Sequence, residues 1–212
     1  MAEKQWRIRA YVDADYAACE ALVSNTWKFE KNFPPPKMAE LVGYLYTMGS
    51  VAGSNFRMVA EAGDRVVGFL FGFNEYEPLQ KSELQGVIAQ LSILRRLFFI
   101  KGMRFKEKTG FLKSIGIHDT NKTRLKGDLK SELVLFVIAP EYQGQGIGQR
   151  LVAEFIGYCK ASNVKSIVVE TNKLGASGFY KRVGFTHKGN FDSPLHEYAT
   201  KNGQACLYEY SL

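Results

Sequence analysis

A glycine-rich segment that directly follows an apolar run is the part of this sequence best suited to bind a ligand. Residues 133–139 are continuously apolar, as in a strand covered on both faces, and Gln143-Gly-Gln-Gly-Ile-Gly148 comes next. Apolar residues then recur with helical spacing from Ile147 to Cys159. The segment therefore lies at a helix N-terminus, where unpaired N–H groups and the positive end of the helix dipole favour a phosphate.

Two common phosphate-binding loops do not fit this segment. A P-loop requires Gly-Lys-Ser/Thr, and a Rossmann GxGxxG that began at Gly144 would have Gln149 in place of its third glycine. The spacing of Gln143, Gly146 and Gly148 instead matches Gln/Arg-x-x-Gly-x-Gly/Ala. This pattern resembles the acetyl-CoA loop of the GNAT superfamily of N-acetyltransferases, and a purely structural turn is the alternative interpretation.

A second segment carries the same resemblance. The apolar strand Ser166 to Asn172 ends in asparagine and is followed by Ala176, Tyr180 and a Gly-Phe pair ending at Phe185. This order is similar to the Asn-x-x-Ala-x-x-x-Tyr segment of the superfamily and the turn after it. The resemblance is tight from Glu132 to Phe185. It implies an α/β (α+β) fold with a mixed, mainly antiparallel sheet that is flanked by helices and splayed between strands 4 and 5.

Acetyl transfer from a thioester to an amine needs a base, a donor for the developing oxyanion and an acid for the thiolate. Glu132 is the candidate base, because it starts the apolar strand eleven residues before Gln143, an offset that resembles that of the general base in histone acetyltransferases. A solvated charge is the alternative, and Glu170, more simply a surface carboxylate, or water could serve instead. Tyr180 matches the tyrosine that protonates the CoA thiolate, unless it only packs the helix on the sheet.

The resemblance also implies which residues bind acetyl-CoA. Backbone groups of strand 4 would hold the pantetheine and the oxyanion, the loop would hold the pyrophosphate, and an asparagine would orient the cofactor. These predicted residues are Phe136, Val137, Ile138, Gln143, Gly144, Gln145, Gly146, Ile147, Gly148, Gln149, Asn172 and Tyr180. The three histidines, at positions 118, 187 and 196, lack zinc-like spacing, so we predict no metal.

Length and composition favour one domain that spans residues 1–212. A hydrophobic content of 46% is ample for a packed core. Neither a membrane-spanning run nor a signal-peptide layout is present, and Cys19, Cys159 and Cys206 are too scattered to indicate disulfides. A soluble, cytoplasmic protein with buried free thiols is therefore expected.

The elements before the loop follow the order of the superfamily. The patterns predict a strand at residues 5–12, helices after Asp13 and after Pro36, and a hairpin of residues 56–61 with residues 65–73. Beyond Phe185 they predict strands at residues 186–189 and 205–210 with a turn at Asn202-Gly203.

A basic insertion at about residues 76–130 departs from the superfamily pattern. It has helical spacing from Leu84 to Phe98 and near Phe105 to Ile115, and a polar stretch from His118 to Asp128 predicts a loop. Between Arg95 and Lys130 there are eleven Lys/Arg and three acidic residues, whereas the rest of the chain has 17 Lys/Arg and 18 acidic residues. We interpret the insertion as a helical lid over the acceptor pocket that attracts an acidic or phosphorylated partner; a homodimer interface is the alternative.

The sequence thus predicts an acetyl-CoA-dependent N-acetyltransferase whose acceptor, a small molecule or a protein, attacks through a primary amine in a ternary complex. No cysteine lies within a candidate catalytic motif, which argues against an acyl-cysteine route. A non-catalytic CoA-binding module is one alternative. A nucleic-acid-binding protein that uses the basic insertion is another, although the apolar spacing of the aromatic residues there favours a core role.

Overall fold

The computed structural model describes residues 5–79, 93–172, 175–196 and 204–212, and a seven-stranded sheet forms its centre. The strands are β1 (Arg7–Ala10), β2 (Phe56–Ala62), β3 (Arg65–Phe73), β4 (Glu132–Ile138), β5 (Ser166–Asn172), β6 (Thr186–Phe191) and β7 (Ala205–Ser211). The helices are α1 (Tyr16–Thr26), α2 (Phe29–Asn32), α3 (Pro36–Ala52), α4 (Phe105–Lys126), α5 (Ile147–Ala161) and α6 (Ser177–Arg182). Residues 93–98 are also helical, and a 3-10 turn, Asp13–Asp15, precedes α1.

The strand order confirms the predicted mixed, mainly antiparallel sheet. The order is β1-β2-β3-β4-β5-β7-β6, and β4 with β5 is the parallel pair. The three neighbouring pairs among β1 to β4 are antiparallel, as are β5 with β7 and β7 with β6. A parallel pair needs a crossover connection, and α5 supplies it between β4 and β5.

The predicted splay between β4 and β5 is also confirmed. Their recorded pairing consists of Glu132 with Val168 and Leu133 with Val169, at the start of β4. A β-bulge follows at once, because Gly72 of β3 pairs with Leu133 and Phe71 pairs with Leu135, so that Val134 is passed over. Beyond it, β4 continues to Ile138 along β3 without a recorded β5 partner, which leaves its other edge available to a ligand.

Helices cover both faces of the sheet. On one face, a cluster that includes Val23 of α1 and Val42 of α3 packs against Phe69, and all three side chains are fully buried. On the other face, Leu151 and Phe155 of α5 pack in a second cluster. The insertion contributes Leu97, Ile100 and Phe111 to the first cluster. Its described part is therefore built into the core.

The loop predicted from His118 to Asp128 is wrong, because α4 runs unbroken from Phe105 to Lys126. Its buried side continues after Phe111 as Ser114 and His118, with spacings of three and four. His118 contacts Glu170 of β5, and Ser114 donates to the backbone oxygen of Gly110 in the same helix, so the apolar periodicity stops while the helix goes on. Of the helix predicted from residue 84 to residue 98, residues 80–92 lie outside the described residues, as does the predicted turn at residues 202–203.

No helix within the described ranges is long and apolar enough to cross a membrane. The three cysteines at positions 19, 159 and 206 are free and buried, as predicted. Burial raises the pKa of the Cys19 thiol to about 12, and it does the same for Cys159. Both therefore remain protonated at neutral pH.

The close packing of β3 against α5 requires a glycine at position 72. A Cβ atom on Gly72 would overlap the fully buried ring of Phe155. Gly72→Ala should lower the free energy of unfolding by about 2 kcal/mol through overpacking. Gly157 on the exposed side of the same helix is the matched control, since Gly157→Ala should stabilise by about 0.5–1 kcal/mol through helix propensity. Urea unfolding of both variants tests this, and equal effects would contradict it.

Candidate active site

The glycine-rich loop has the geometry of an anion site. Gly144 and Gly146 have φ angles of +78° and +83°, in the left-handed region that favours glycine. Gly146 is the N-cap of the 15-residue helix α5 and makes no side-chain capping hydrogen bond. A Cβ atom at either glycine would meet nothing within 4 Å. The exposed loop thus offers first-turn N–H groups in open space, which fits a pyrophosphate.

Aromatic residues connect β4 with α6 beside this loop. The ring centroid of Phe136 lies 5.4 Å from that of Phe179 and 6.5 Å from that of Tyr180. A Cβ atom on Gly148 would approach the Phe136 and Phe179 rings to 3.1 and 3.3 Å, so the start of α5 packs closely on both. The structure therefore brings together predicted cofactor residues from β4, α5 and α6.

Tyr180 is almost entirely buried in the second core cluster. Burial disfavours the phenolate and raises the pKa of Tyr180 above the ordinary value of 10.0. Its hydroxyl therefore stays protonated at neutral pH, as an acid for a leaving thiolate must be. Asn172, the other residue predicted near the thiol, is the last residue of β5 and pairs with Ala205 of β7.

Glu132 is a buried carboxylate that holds two lysines of the insertion helix. Its side chain is 12% exposed, which excludes the interpretation as a solvated charge. Lys122 Nζ lies 2.5 Å from Oε1, and Lys126 Nζ lies 2.5 Å from Oε2. Both oxygens of the candidate base therefore accept hydrogen bonds from ammonium groups.

Glu170, expected to be a surface carboxylate, is instead mostly buried, with its side chain 16% exposed. Lys122 Nζ lies 3.0 Å from Oε2, His196 Nε2 lies 2.8 Å from Oε1, and His118 Nε2 lies 3.4 Å from Oε2. Burial alone would raise the pKa of Glu170, but the charge of Lys122 and the two histidine contacts lower it well below 4.5. The carboxylate is therefore ionised at neutral pH.

Lys122 joins the two carboxylates across the paired end of β4 and β5. Burial alone would lower its pKa, but Glu170 and Glu132 outweigh burial and raise it above 10.5. Ser193 completes the arrangement: its Oγ lies 2.9 Å from His118 Nδ1 and accepts the backbone N–H of His196 at 3.0 Å. We call this set the carboxylate cluster; its members are His118, Lys122, Lys126, Glu132, Glu170, Ser193 and His196.

Sequence reasoning missed most of the carboxylate cluster. Its members come from α4, β4, β5 and the segment after β6, so no local motif contains them. The available signal was the spacing of four among His118, Lys122 and Lys126, which places them on one side of a helix. Among the described residues, no group of His, Cys, Asp or Glu has an arrangement that could hold a metal ion.

A groove of about 510 Å³ opens next to the cluster. It lies between the C-terminal end of α4 and the start of β4, and it includes the bulge residue Val134. Its charged lining consists of Lys122, Lys126, Lys130 and Glu132. The groove therefore gives a small polar molecule access to the candidate base beside the point where β4 leaves β5.

Comparison with known proteins identifies the fold and a family model that matches part of the chain. Residues 103–187 match the family model described as "Acetyltransferase (GNAT) domain". Ard1 from Thermoplasma volcanium superposes with a TM-score of 0.56 at 14% identity, over 98% of this chain and 97% of that one. A GCN5-related N-acetyltransferase from Rhodopseudomonas palustris gives a TM-score of 0.55 at 13% identity, over 100% of this chain and 99% of that one. A ribosomal-protein-alanine N-acetyltransferase from Brucella melitensis gives a TM-score of 0.52 at 16% identity, over 97% of this chain and 99% of that one.

A search of curated proteins by sequence gave no match. The splayed sheet, the glycine loop and the match over residues 103–187 together support an acyltransferase. Residues 103–187 are thus similar to the GNAT acetyltransferase domain, and the whole chain has the GNAT fold. The resemblance deduced from the two sequence motifs is thereby confirmed.

Proposed function

We propose that this protein transfers an acetyl group from acetyl-CoA to a primary amine by direct attack in a ternary complex. One observation carries the proposal: β4 and β5 separate directly after two paired positions, between the uncapped glycine loop and the carboxylate cluster. A donor bound at the loop and an acceptor bound at the cluster would approach each other through this opening. No covalent intermediate on the protein is then required.

Acetyl-CoA supplies an activated acetyl group, and this chain supplies its binding surface. First-turn N–H groups of α5 after Gly146 would hold the pyrophosphate. The unpaired edge of β4 at Phe136, Val137 and Ile138 would hold the pantetheine and donate to the developing oxyanion. Tyr180, kept protonated by burial, would donate its proton to the departing thiolate.

The carboxylate cluster supports an amine as acceptor. Glu132 and Glu170 already hold the ammonium group of Lys122, so the environment is complementary to an alkylammonium ion. An acceptor that enters the groove can displace one lysine from Glu132 and present its own ammonium group to the same oxygen. Glu132 would then remove a proton and leave the neutral amine that attacks.

The internal ion pairs weigh against nucleic acid as the partner. Lys122 and Lys126 turn towards carboxylates, and Lys108 donates to the backbone oxygen of Phe98. Part of the positive excess of the insertion is therefore neutralised within the protein. A panel of primary amines with detection of released CoA tests the proposed activity, and binding of acetyl-CoA without release would instead indicate a non-catalytic module.

Replacing the candidate base or the candidate acid should slow turnover while the protein still binds acetyl-CoA. Glu132→Gln should lower turnover about 100-fold at neutral pH, with partial recovery at higher pH where more of the acceptor amine is neutral. Tyr180→Phe should lower turnover with little change in the Kd for acetyl-CoA. Rates across a pH series measure both effects.

Glu154→Gln is the matched control, since Glu154 is a part-exposed carboxylate paired with Arg150 on the outer side of α5. It should leave the pH profile of turnover unchanged. Melting curves of all variants separate loss of catalysis from loss of folding. Wild-type rates for Glu132→Gln and Tyr180→Phe at every pH would assign the two roles to other groups.

A further inference from the structure

Two amines of the protein itself already lie at the candidate base. Lys126 Nζ is 2.5 Å from Glu132 Oε2 and 3.3 Å from the backbone oxygen of Lys130. Lys122 and Lys126 line the same groove as Glu132 and the bulge residue Val134. An ammonium group of α4 therefore occupies the position that the proposed function assigns to the acceptor.

From this placement we infer that Lys126 is an acetylation site of the protein, with its own Nζ as the acceptor. The inference rests on the proposed function, because it uses the same donor and the same base. It adds a modification site, and it specifies the class of acceptor that the groove accommodates: a primary amine at the end of a flexible alkyl chain.

Lys126 is better placed for this role than Lys122. Lys122 joins Glu132 to Glu170, and its departure would leave Glu170 without its lysine partner. Within the described residues, Lys126 has a single carboxylate partner, Glu132, which keeps Lys122 when Lys126 moves. Lys126 also lies at the last residue of α4, where a helix frays most readily.

The transfer balances in atoms and charge. Glu132 takes one proton from the Lys126 ammonium group, and the nitrogen lone pair forms a C–N bond to the thioester carbonyl carbon. The C–S bond breaks, and Tyr180 protonates the thiolate. The second proton lost by the nitrogen replaces that of Tyr180, and Glu132 returns its proton to solvent. The products are a neutral acetylated lysine, CoA and one proton.

Acetylation also changes the electrostatics of the base. An acetylated Lys126 carries no positive charge, so one oxygen of Glu132 loses its ammonium partner. Of the two lysines, Lys122 then still donates to Glu132. The modified protein would therefore present a carboxylate oxygen that can accept a hydrogen bond from the ammonium group of an external amine.

Comparing two acetylating reagents tests the assignment. The full chain is treated either with acetyl-CoA or, without acetyl-CoA, with an amine-reactive acetyl ester, and the modified lysines are mapped by peptide mass spectrometry. Lys113 is the reference, because it is exposed on α4 and has no ion pair among the described residues. The ester should modify Lys113 before Lys126, since Lys126 is mostly buried and ion-paired. Acetyl-CoA should reverse this order.

Three variants and a dilution series sharpen the test. Lys126→Arg removes the acceptor, so no acetyl group should appear at position 126. Glu132→Gln removes the base, so acetyl-CoA should no longer modify Lys126 before Lys113. Lys113→Arg should be acetylated at position 126 as the wild type is. The fraction of Lys126 labelled per unit time should not change when the protein is diluted, because acceptor and base belong to one chain.

The outcomes separate this inference from the proposed function. If both reagents modify lysines in the same order, or if dilution slows labelling of Lys126, the inference is overturned. Release of CoA with the amine panel while Lys126 stays unmodified overturns the inference and leaves the proposed function intact. Failure of the protein to bind acetyl-CoA by calorimetry would overturn both.

Discussion

Gly146→Glu should abolish measurable binding of acetyl-CoA while the protein remains folded. The new carboxylate would stand at the N-cap of α5, where the pyrophosphate is proposed to lie, and a Cβ atom there has open space. Two like charges about 4 Å apart repel by about 4 kcal/mol at an effective dielectric constant near 20, which corresponds to roughly a 1,000-fold weaker Kd. Calorimetric titration with acetyl-CoA measures this.

Gly146→Asn is the uncharged control at the same position. The φ angle of +83° at Gly146 is unfavourable for most side chains, but asparagine tolerates this region and carries no charge. Gly146→Asn should therefore bind acetyl-CoA much more tightly than Gly146→Glu, and its melting temperature should be at least as high. An unchanged Kd for Gly146→Glu would place the cofactor elsewhere.

The sequence predicted the parts of the site that depend on local chemistry. The apolar run before Gln143 indicated a buried strand, and a glycine-rich turn ahead of helical spacing indicated a helix start, so β4 and α5 were predictable. The splay between β4 and β5 was not derivable from any residue pattern. It came from the resemblance to the superfamily, and the pairing of only two positions confirms it.

The carboxylate cluster was not predictable, because its stability comes from contacts between distant segments. Seventy-five positions separate His118 from Ser193, and each histidine alone has the pattern of a surface residue. The polar stretch after Ile115 indicated a loop, although the same residues form a helix whose polar side faces buried carboxylates. Hydrophobic periodicity detects a helix that buries apolar groups, and it fails where a helix buries charges that are paired by the rest of the fold.

The short helix α2 was missed for a different reason. Its four residues, Phe29–Asn32, are too few to show helical periodicity. Phe29 and Phe33 are nonetheless buried, with ring centroids 5.5 Å apart, because they pack with α3. Its place in the structure is therefore determined by tertiary packing.

Glu170→Gln should lower the free energy of unfolding by about 3 kcal/mol, since removing one partner from a buried ion pair leaves the other charges uncompensated. Lys122, His118 and His196 would lose their shared anion, although Lys122 would keep Glu132. Glutamine has nearly the same shape, so packing should change little. Urea unfolding at neutral pH measures the difference, and Glu40→Gln, which breaks an exposed pair with Lys37, should cost less than about 1 kcal/mol.

The stabilisation by Glu170 should also disappear in acid. The lowered pKa of Glu170 determines this direction of the pH dependence. Because the folded protein holds the carboxylate ionised below 4.5, the contribution of Glu170 is fully present above that pH and is lost as the pH falls towards the folded pKa. The difference in unfolding free energy between wild type and Glu170→Gln should therefore shrink below about pH 4.5, whereas that of the Glu40→Gln control should stay small at every pH. A difference that grows on acidification would mean that Glu170 is protonated in the folded protein, and the ion pair with Lys122 would then not be what holds α4 against β5.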